Sequence, residues 1–267
     1  MRETLAIVFV LLLLTAVVGT IIYRISRSRF SFLQQVLWLV AYLLTRFLWR
    51  TTTIGPLLLA EGQGAVVVLN HRSSADPFFV QVASDRKVHW MVAREYCEHW
   101  AFAWFLRACE VIPVNRGGMD IRAVKAAIRL TSQGGIIGMF PEGRINMTEE
   151  LMLPGRPVAA WIALKARCPV VPCYVEGSPY RRVAWSPFFM TARVKVRFGP
   201  PLDFSEFFDR ESEQEVLAEV LRRCQRAIAD LAGRPDFEPR IAGRNWKPTA
   251  EELAADMDAA DERRKRG

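Results

Sequence analysis

Of the three histidines, His71 has the setting of a working residue, because it directly follows the apolar run Ala65–Leu69 in Asn70-His71-Arg72-Ser73-Ser74-Ala75-Asp76-Pro77. Strand ends in layered α/β proteins are where sites are assembled. A neutral imidazole, which titrates near ~6.5 when free, is the side chain suited to take a proton near neutral pH. Asp76 admits two roles, which can hold together. Placed before Pro77, it should cap a helix that the proline opens. Turned back over the intervening residues, its carboxylate would reach one ring nitrogen, fix the tautomer and leave the other nitrogen as a general base.

Three further strand ends carry polar residues beside glycine. Ile112-Pro113-Val114-Asn115-Arg116-Gly117-Gly118 offers a guanidinium next to bare backbone, a setting that can meet a phosphate. Phe140-Pro141-Glu142-Gly143-Arg144 puts opposite charges on either side of a glycine, and Val171-Pro172-Cys173-Tyr174-Val175-Glu176-Gly177-Ser178 is a third end of this kind. Taken singly, each also reads as an ordinary turn. Backbone N–H groups near His71 or Arg144 are candidates for holding an oxyanion.

After Thr51 short apolar runs alternate with helical ones, which predicts an α/β fold with a mixed central sheet covered by helices. The expected strands are Ala65 to Leu69, His89 to Val92, Glu110 to Val114, Gly135 to Phe140 and Val170 to Glu176. Runs apolar on both faces, such as Ala65 to Leu69, belong in the middle of the sheet. Helices are expected over Pro77 to Ser84, Trp100 to Ala108, Met119 to Ser132 and Val158 to Ala166. Ser212 with Glu215 predicts a capping box for a helix running to Ala232, which Gly233 and Pro235 stop.

The chain has 267 residues, 51% of them hydrophobic, and a net charge of +8, which excludes a disordered or collagenous chain and favours acidic partners. Its five cysteines are odd in number and lack metal-ligand spacing, so neither a cystine framework nor a metal site is expected. Leu5 to Tyr23 is a charge-free run of 19 residues, long enough to cross a bilayer and longer than a signal-peptide core. Arg24, Arg27 and Arg29 follow it, which would hold the downstream chain on the cytoplasmic face. Phe30 to Trp49 mixes apolar residues with Gln34, Gln35 and Arg46, and reads either as a helix lying on the membrane or as a buried hairpin. No acidic residue lies between Glu3 and Glu61, so attraction of the arginines there to anionic headgroups is unopposed.

The expected organisation is therefore an N-terminal hydrophobic membrane-anchoring helix pair in residues 1–50, an α/β domain over 51–233, and a charged tail over 234–267 with eight acidic and eight basic residues. Thr249 with Glu252 could cap a last helix there. In the aromatic run His89, Trp90, His99, Trp100, Phe102, Trp104 and Phe105, two readings stand, core packing and a face for lipid. Arg122, Lys125 and Arg129 recur at helical spacing and read as a solvated face. No nucleic-acid-binding signature occurs, so the expected partner is lipid.

In this order and spacing, the four strand ends from Thr53 to Pro200 resemble the glycerolipid acyltransferase family, whose bacterial members make phosphatidic acid from lysophosphatidic acid. The resemblance implies an enzyme of residues 51–233 that moves a fatty acyl group from the thioester of acyl-CoA or acyl carrier protein, as co-substrate, to the free hydroxyl of a lysophospholipid. It implies no other cofactor and no metal. His71 matches the general base and Asp76 its orienting partner, Arg116 the phosphate-binding arginine, Glu142 and Gly143 the acceptor-binding pair, and Pro172 the proline on the acyl-donor side. Where the family continues Gly-Thr-Arg-Ser, this chain has Gly143-Arg144-Ile145-Asn146, so the arginine moves one place forward and both hydroxyls are gone on the acceptor side. Lysophosphatidic acid is the expected acceptor. Another lysophospholipid or an aminolipid precursor is the alternative, and a non-catalytic lipid-binding protein or a thioester hydrolase are readings from other classes.

Overall fold

The computed structural model describes residues 30–115 and 120–242. Helix α1, Phe32–Leu43, opens on a reciprocal capping box in which Ser31 Oγ accepts from the Gln34 N–H and Gln34 Oε1 accepts from the Ser31 N–H. It runs through one π-helical turn, Leu44–Leu48, to the buried Trp49. Then follow β1 Thr52–Ile54, β2 Ala65–Leu69, α2 Asp76–Val82, β3 Val88–Ala93, α3 Arg94–Glu98, α4 Trp100–Ala108, β4 Ile112–Val114 and α5 Ile121–Ser132. The chain continues through β5 Ile136–Met139, α6 Val158–Ala166, β6 Val170–Glu176, β7 Lys195–Phe198 and α7 Gln214–Leu231.

The strands form one seven-stranded sheet in the order β1-β7-β6-β2-β5-β3-β4, with every pair parallel except β6 with β7. β2 lies at its centre because all five of its side chains are apolar and alternate between two covered faces. Val66 and Val68 pack on α5, α6 and α7 through Val124, Ala163 and Val220. Ala65, Val67 and Leu69 pack on the other side with Trp49 and with Phe79 and Val80 of α2. A parallel sheet aims the carboxyl ends of its strands to one edge, so the loops after β2, β5, β3, β4 and β6 gather there.

Several expectations need correction. β1 and β7 escape the apolar-run signal because they are short strands with Thr52, Thr53, Lys195 and Arg197 among their few residues. The Ser212–Glu215 capping box does not form, and α7 starts after Glu213 with no side-chain cap. The described start of the 234–267 stretch lies against the domain. Gly155 bridges to Ile241, Gly155 N–H donates to Arg240 O, and the Arg240 guanidinium pairs with Glu150, so its first stretch is fastened down. Core packing holds for His89 and Trp90, but Trp100 and Trp104 are 85% and 54% exposed. The buried-hairpin reading of Phe30 to Trp49 also fails. One edge of α1 docks, with Gln34 Nε2 donating to Ala108 O and Glu110 Oε1, while Phe32, Leu39, Leu43 and Phe47 face outward. No described helix is long and apolar enough to cross a membrane. The Leu5 to Tyr23 run and the proposed helix at Thr249 lie outside the described residues.

Candidate active site

β2 delivers Asn70 and His71 to the carboxyl edge of the sheet. Asn70 is buried and pins this end to β6, donating to Val175 O and accepting from the Val175 N–H, each at 2.9 Å. The His71 side chain keeps 15% of its surface exposed, while Asp76 is fully buried beside it. Nδ1 of His71 lies 3.0 Å from Asp76 Oδ2. The Arg72 and Ser73 N–H groups donate to the same oxygen at 2.8 Å each. Oδ1 accepts from Ser178 Oγ at 2.6 Å.

Of the two roles open for Asp76, the helix cap is not formed. Its carboxylate turns back over the preceding loop, where it meets the ring and two backbone N–H groups of the turn. In the tautomer with its proton on Nδ1 the ring donates to Asp76 Oδ2, and Nε2 keeps a lone pair. The ring plane is set by Phe140, stacked on His71 at 3.6 Å between centroids and 14° between planes. Phe140 is backed in turn by Trp90 at 5.1 Å. Trp90 fits because Gly138 has no side chain, since a Cβ there would lie 2.7 Å from the indole.

Glu142, the acceptor-binding glutamate of the resemblance, is buried against the His71 loop. It is 2% exposed, and its two oxygens accept from the His71 N–H at 2.7 Å and the Leu153 N–H at 2.8 Å. Burial pushes its carboxyl up to about 8, against the pull of those two backbone donors. A group so enclosed fastens the loop that carries His71. Gly143 turns the chain at φ +71° and Arg144 beside it is partly buried. Pro172 sits inside β6, paired with Val68 and packed on Gly199, away from the loop cluster. Its missing N–H is tolerated because β7 ends at that rung, where Gly199 N–H donates to Pro172 O at 2.9 Å.

The altered third block also has a structural reading. The Asn146 N–H donates to His71 O at 2.7 Å, and its buried side chain closes the turn through Thr148 and Glu150 O. Arg72 clasps the same turn by donating to Thr148 O at 2.6 Å. Arg116 lies outside the described residues, between Asn115 and Asp120, whose side chains bond each other at 2.9 Å. Its strand β4 is three places from β2, on the order of 14 Å at ~4.8 Å per strand. Sequence reading passed over Phe140, Asn146 and Ser178 as working residues, although Phe140 and Ser178 stand in the quoted strand ends.

A family model described as Acyltransferase matches residues 50–176, the span from the end of the π-helical turn to the end of β6. Over 179 residues the chain is 24% identical to the 1-acyl-sn-glycerol-3-phosphate acyltransferase of Bacillus subtilis, covering 67% of this chain and 86% of that one. Residues 50–176 form an Acyltransferase domain. This acyltransferase, an enzyme of lipid metabolism, is also 24% identical over 167 residues to the protein of the same name from Streptococcus pneumoniae, covering 62% of this chain and 59% of that one. The crystal structure of the 1-acyl-sn-glycerophosphate (LPA) acyltransferase from Thermotoga maritima superposes with a TM-score of 0.59 over 88% of this chain and 99% of that one. At 21% identity that likeness is one of fold. Both expected family and expected mixed sheet stand.

Proposed function

We propose that this acyltransferase moves a fatty acyl group from an acyl-CoA or acyl carrier protein thioester to the free hydroxyl of lysophosphatidic acid, giving phosphatidic acid. The observation that carries the reading is the His71 Nδ1 contact with a fully buried Asp76, at the strand-end edge and with the ring still reaching the surface. In this reading Nε2 takes the proton from the acceptor hydroxyl as its oxygen bonds to the thioester carbonyl carbon. The tetrahedral oxyanion collapses, the carbon–sulfur bond breaks, and the departing thiolate recovers that proton from Nε2.

Direct transfer is favoured over an acyl-enzyme by the state of the thiols. Cys173 is fully buried, and burial pushes its thiol well above the ordinary range, as burial also raises Cys97, lifts Cys109 to about 11 and lifts Cys168 and Cys224 to about 12. Such thiols hold little thiolate. An imidazole base and a thiolate leaving group require no resident metal or prosthetic group. Arg116 and Arg144 are the cations assigned to the acceptor phosphate.

The partner surface is a bilayer, met from the cytoplasmic side by the outward face of α1. Phe32 and Phe47 are 73% and 70% exposed, with Leu39, Val40 and Leu43 between them and Arg46 and Arg50 alongside. Water is an unfavourable medium for so wide an apolar stripe, and the headgroup boundary accommodates both it and the arginines. The test is to incubate the protein in vesicles with labelled acyl thioester and a panel of lyso-acceptors, beside His71→Ala. Phosphatidic acid formed only by the parent is the expected result. Transfer to a different lyso-acceptor in preference would replace lysophosphatidic acid, and free fatty acid as the main product would make the protein a hydrolase.

A further inference from the structure

We infer that Ser178 is a positioning residue of the catalytic pair, fixing the Asp76 carboxylate from the side opposite His71. The inference rests on the reading of His71 as base. Ser178 is 102 residues from Asp76 in sequence, and it reaches that carboxylate through four successive constraints. β6 lies next to β2 in the sheet. Asn70 bonds both backbone groups of Val175 and so locks the two strand ends level. The chain then reverses at Gly177, with φ at +79°, where a Cβ would lie 2.4 Å from Arg193 O, so only glycine makes this turn without strain. Ser73 Oγ donates to Pro179 O at 2.6 Å and ties the returning segment to the catalytic loop.

The outcome is a hydroxyl 2.6 Å from Asp76 Oδ1. Oδ2 is already taken by His71 Nδ1 and two backbone N–H groups, so Oδ1 has Ser178 as its hydrogen-bond donor. A carboxylate held at both oxygens cannot rotate about its last torsion, and its lone pair stays aimed at Nδ1. The bond also draws charge from the carboxylate, which weakens the pull of Asp76 on an imidazolium proton. The other charged or titratable groups close to the pair are Glu142, on the His71 N–H, Arg72, and the buried Cys173 thiol, which feels the Asp76 charge. None of them touches Oδ1.

Ser178→Ala should lower kcat about tenfold with the acceptor KM little changed, and should move the acid limb of the kcat/KM profile to higher pH. A residue serving only to hold the fold would lower thermal stability and leave that limb in place. Parent-like kcat together with an unmoved acid limb would overturn the assignment. Should Ser178→Ala fail to fold, Ser178→Thr against Ser178→Val decides, since the two match in shape and differ in the hydroxyl. Threonine should keep activity and valine should lose it, and equal activities would overturn the assignment. His71→Ala, measured in parallel, separates the two readings: substantial activity there removes the base assignment itself, whereas an inactive His71→Ala with a fully active Ser178→Ala removes only Ser178.

Discussion

Replacing Asp76 by asparagine should cost this enzyme less than the same change costs a catalytic aspartate whose amide is free to flip. Oδ2 takes three donors, His71 Nδ1 at 3.0 Å and the Arg72 and Ser73 N–H groups at 2.8 Å each. An asparagine can meet all three with its amide oxygen, leaving its NH2 to donate to Ser178 Oγ, a hydroxyl that can turn to accept. The reversed amide would set an NH2 against three N–H donors, and each buried bond left unmade costs about 1–3 kcal/mol. The oxygen therefore stays on His71, the Nδ1 tautomer persists, and what disappears is the negative charge beside the imidazolium formed in the transition state. A facing charge at this range is worth about one to two pKa units at 1.36 kcal/mol each, so kcat should fall about 10- to 100-fold with KM nearly unchanged. A flipped amide, holding the wrong tautomer, would instead cost about ten-thousandfold. Initial rates with labelled acyl thioester and lysophosphatidic acid across pH make the distinction, and the acid limb should move to lower pH. A loss as complete as that of His71→Ala would refute the pinned orientation. An unchanged kcat would refute the electrostatic role.

The Glu142 carboxyl is raised from an ordinary 4.5 to about 8 in the folded chain, so the folded state holds that proton longer than the unfolded one. Its contribution to stability is complete below the lower value and is lost as pH climbs through the higher one, so the melting temperature should drop across that window. Glu142→Gln should flatten the drop, and parallel curves for the two proteins would show that another group is responsible. Glu142→Ala should destabilise by about 2–4 kcal/mol in urea melts, because the His71 and Leu153 N–H groups lose their acceptor. Arg116→Ala should raise the KM for the phosphorylated acceptor with kcat nearly constant, and an unchanged KM would move the phosphate role elsewhere. Exchanging Leu39, Leu43 and Phe47 for serine should reduce partition into anionic vesicles at least a hundredfold, since each buried side chain contributes on the order of 1.5–3 kcal/mol. Flotation that matches the parent would show that another face meets the bilayer.

The pieces of the site legible beforehand were those encoded by neighbours in sequence. His71 and Asp76 are five positions apart, so one tight loop suffices to join them. The helix limits Trp100–Ala108 and Val158–Ala166 were also legible, because apolar spacing and the stops at either end are local signals. β1 and β7 were not, since strands of three and four residues carry too few side chains to show alternation. The burial of Glu142 was not legible either, because it comes from the approach of the His71 and Leu153 N–H groups, which lie 71 and 11 positions away in sequence.

What the chain determined by itself was local: an imidazole at the close of an apolar strand, a carboxylate within one turn of it, and the runs that become β2 and β6. Which strand ends became neighbours was decided by tertiary structure. β2 lies between β5 and β6, so Glu142 comes under His71 from one side and Ser178 meets Asp76 from the other. Parallel pairing is stabilised by packing spread over two cores and by crossovers of many residues, and no short segment contains that information.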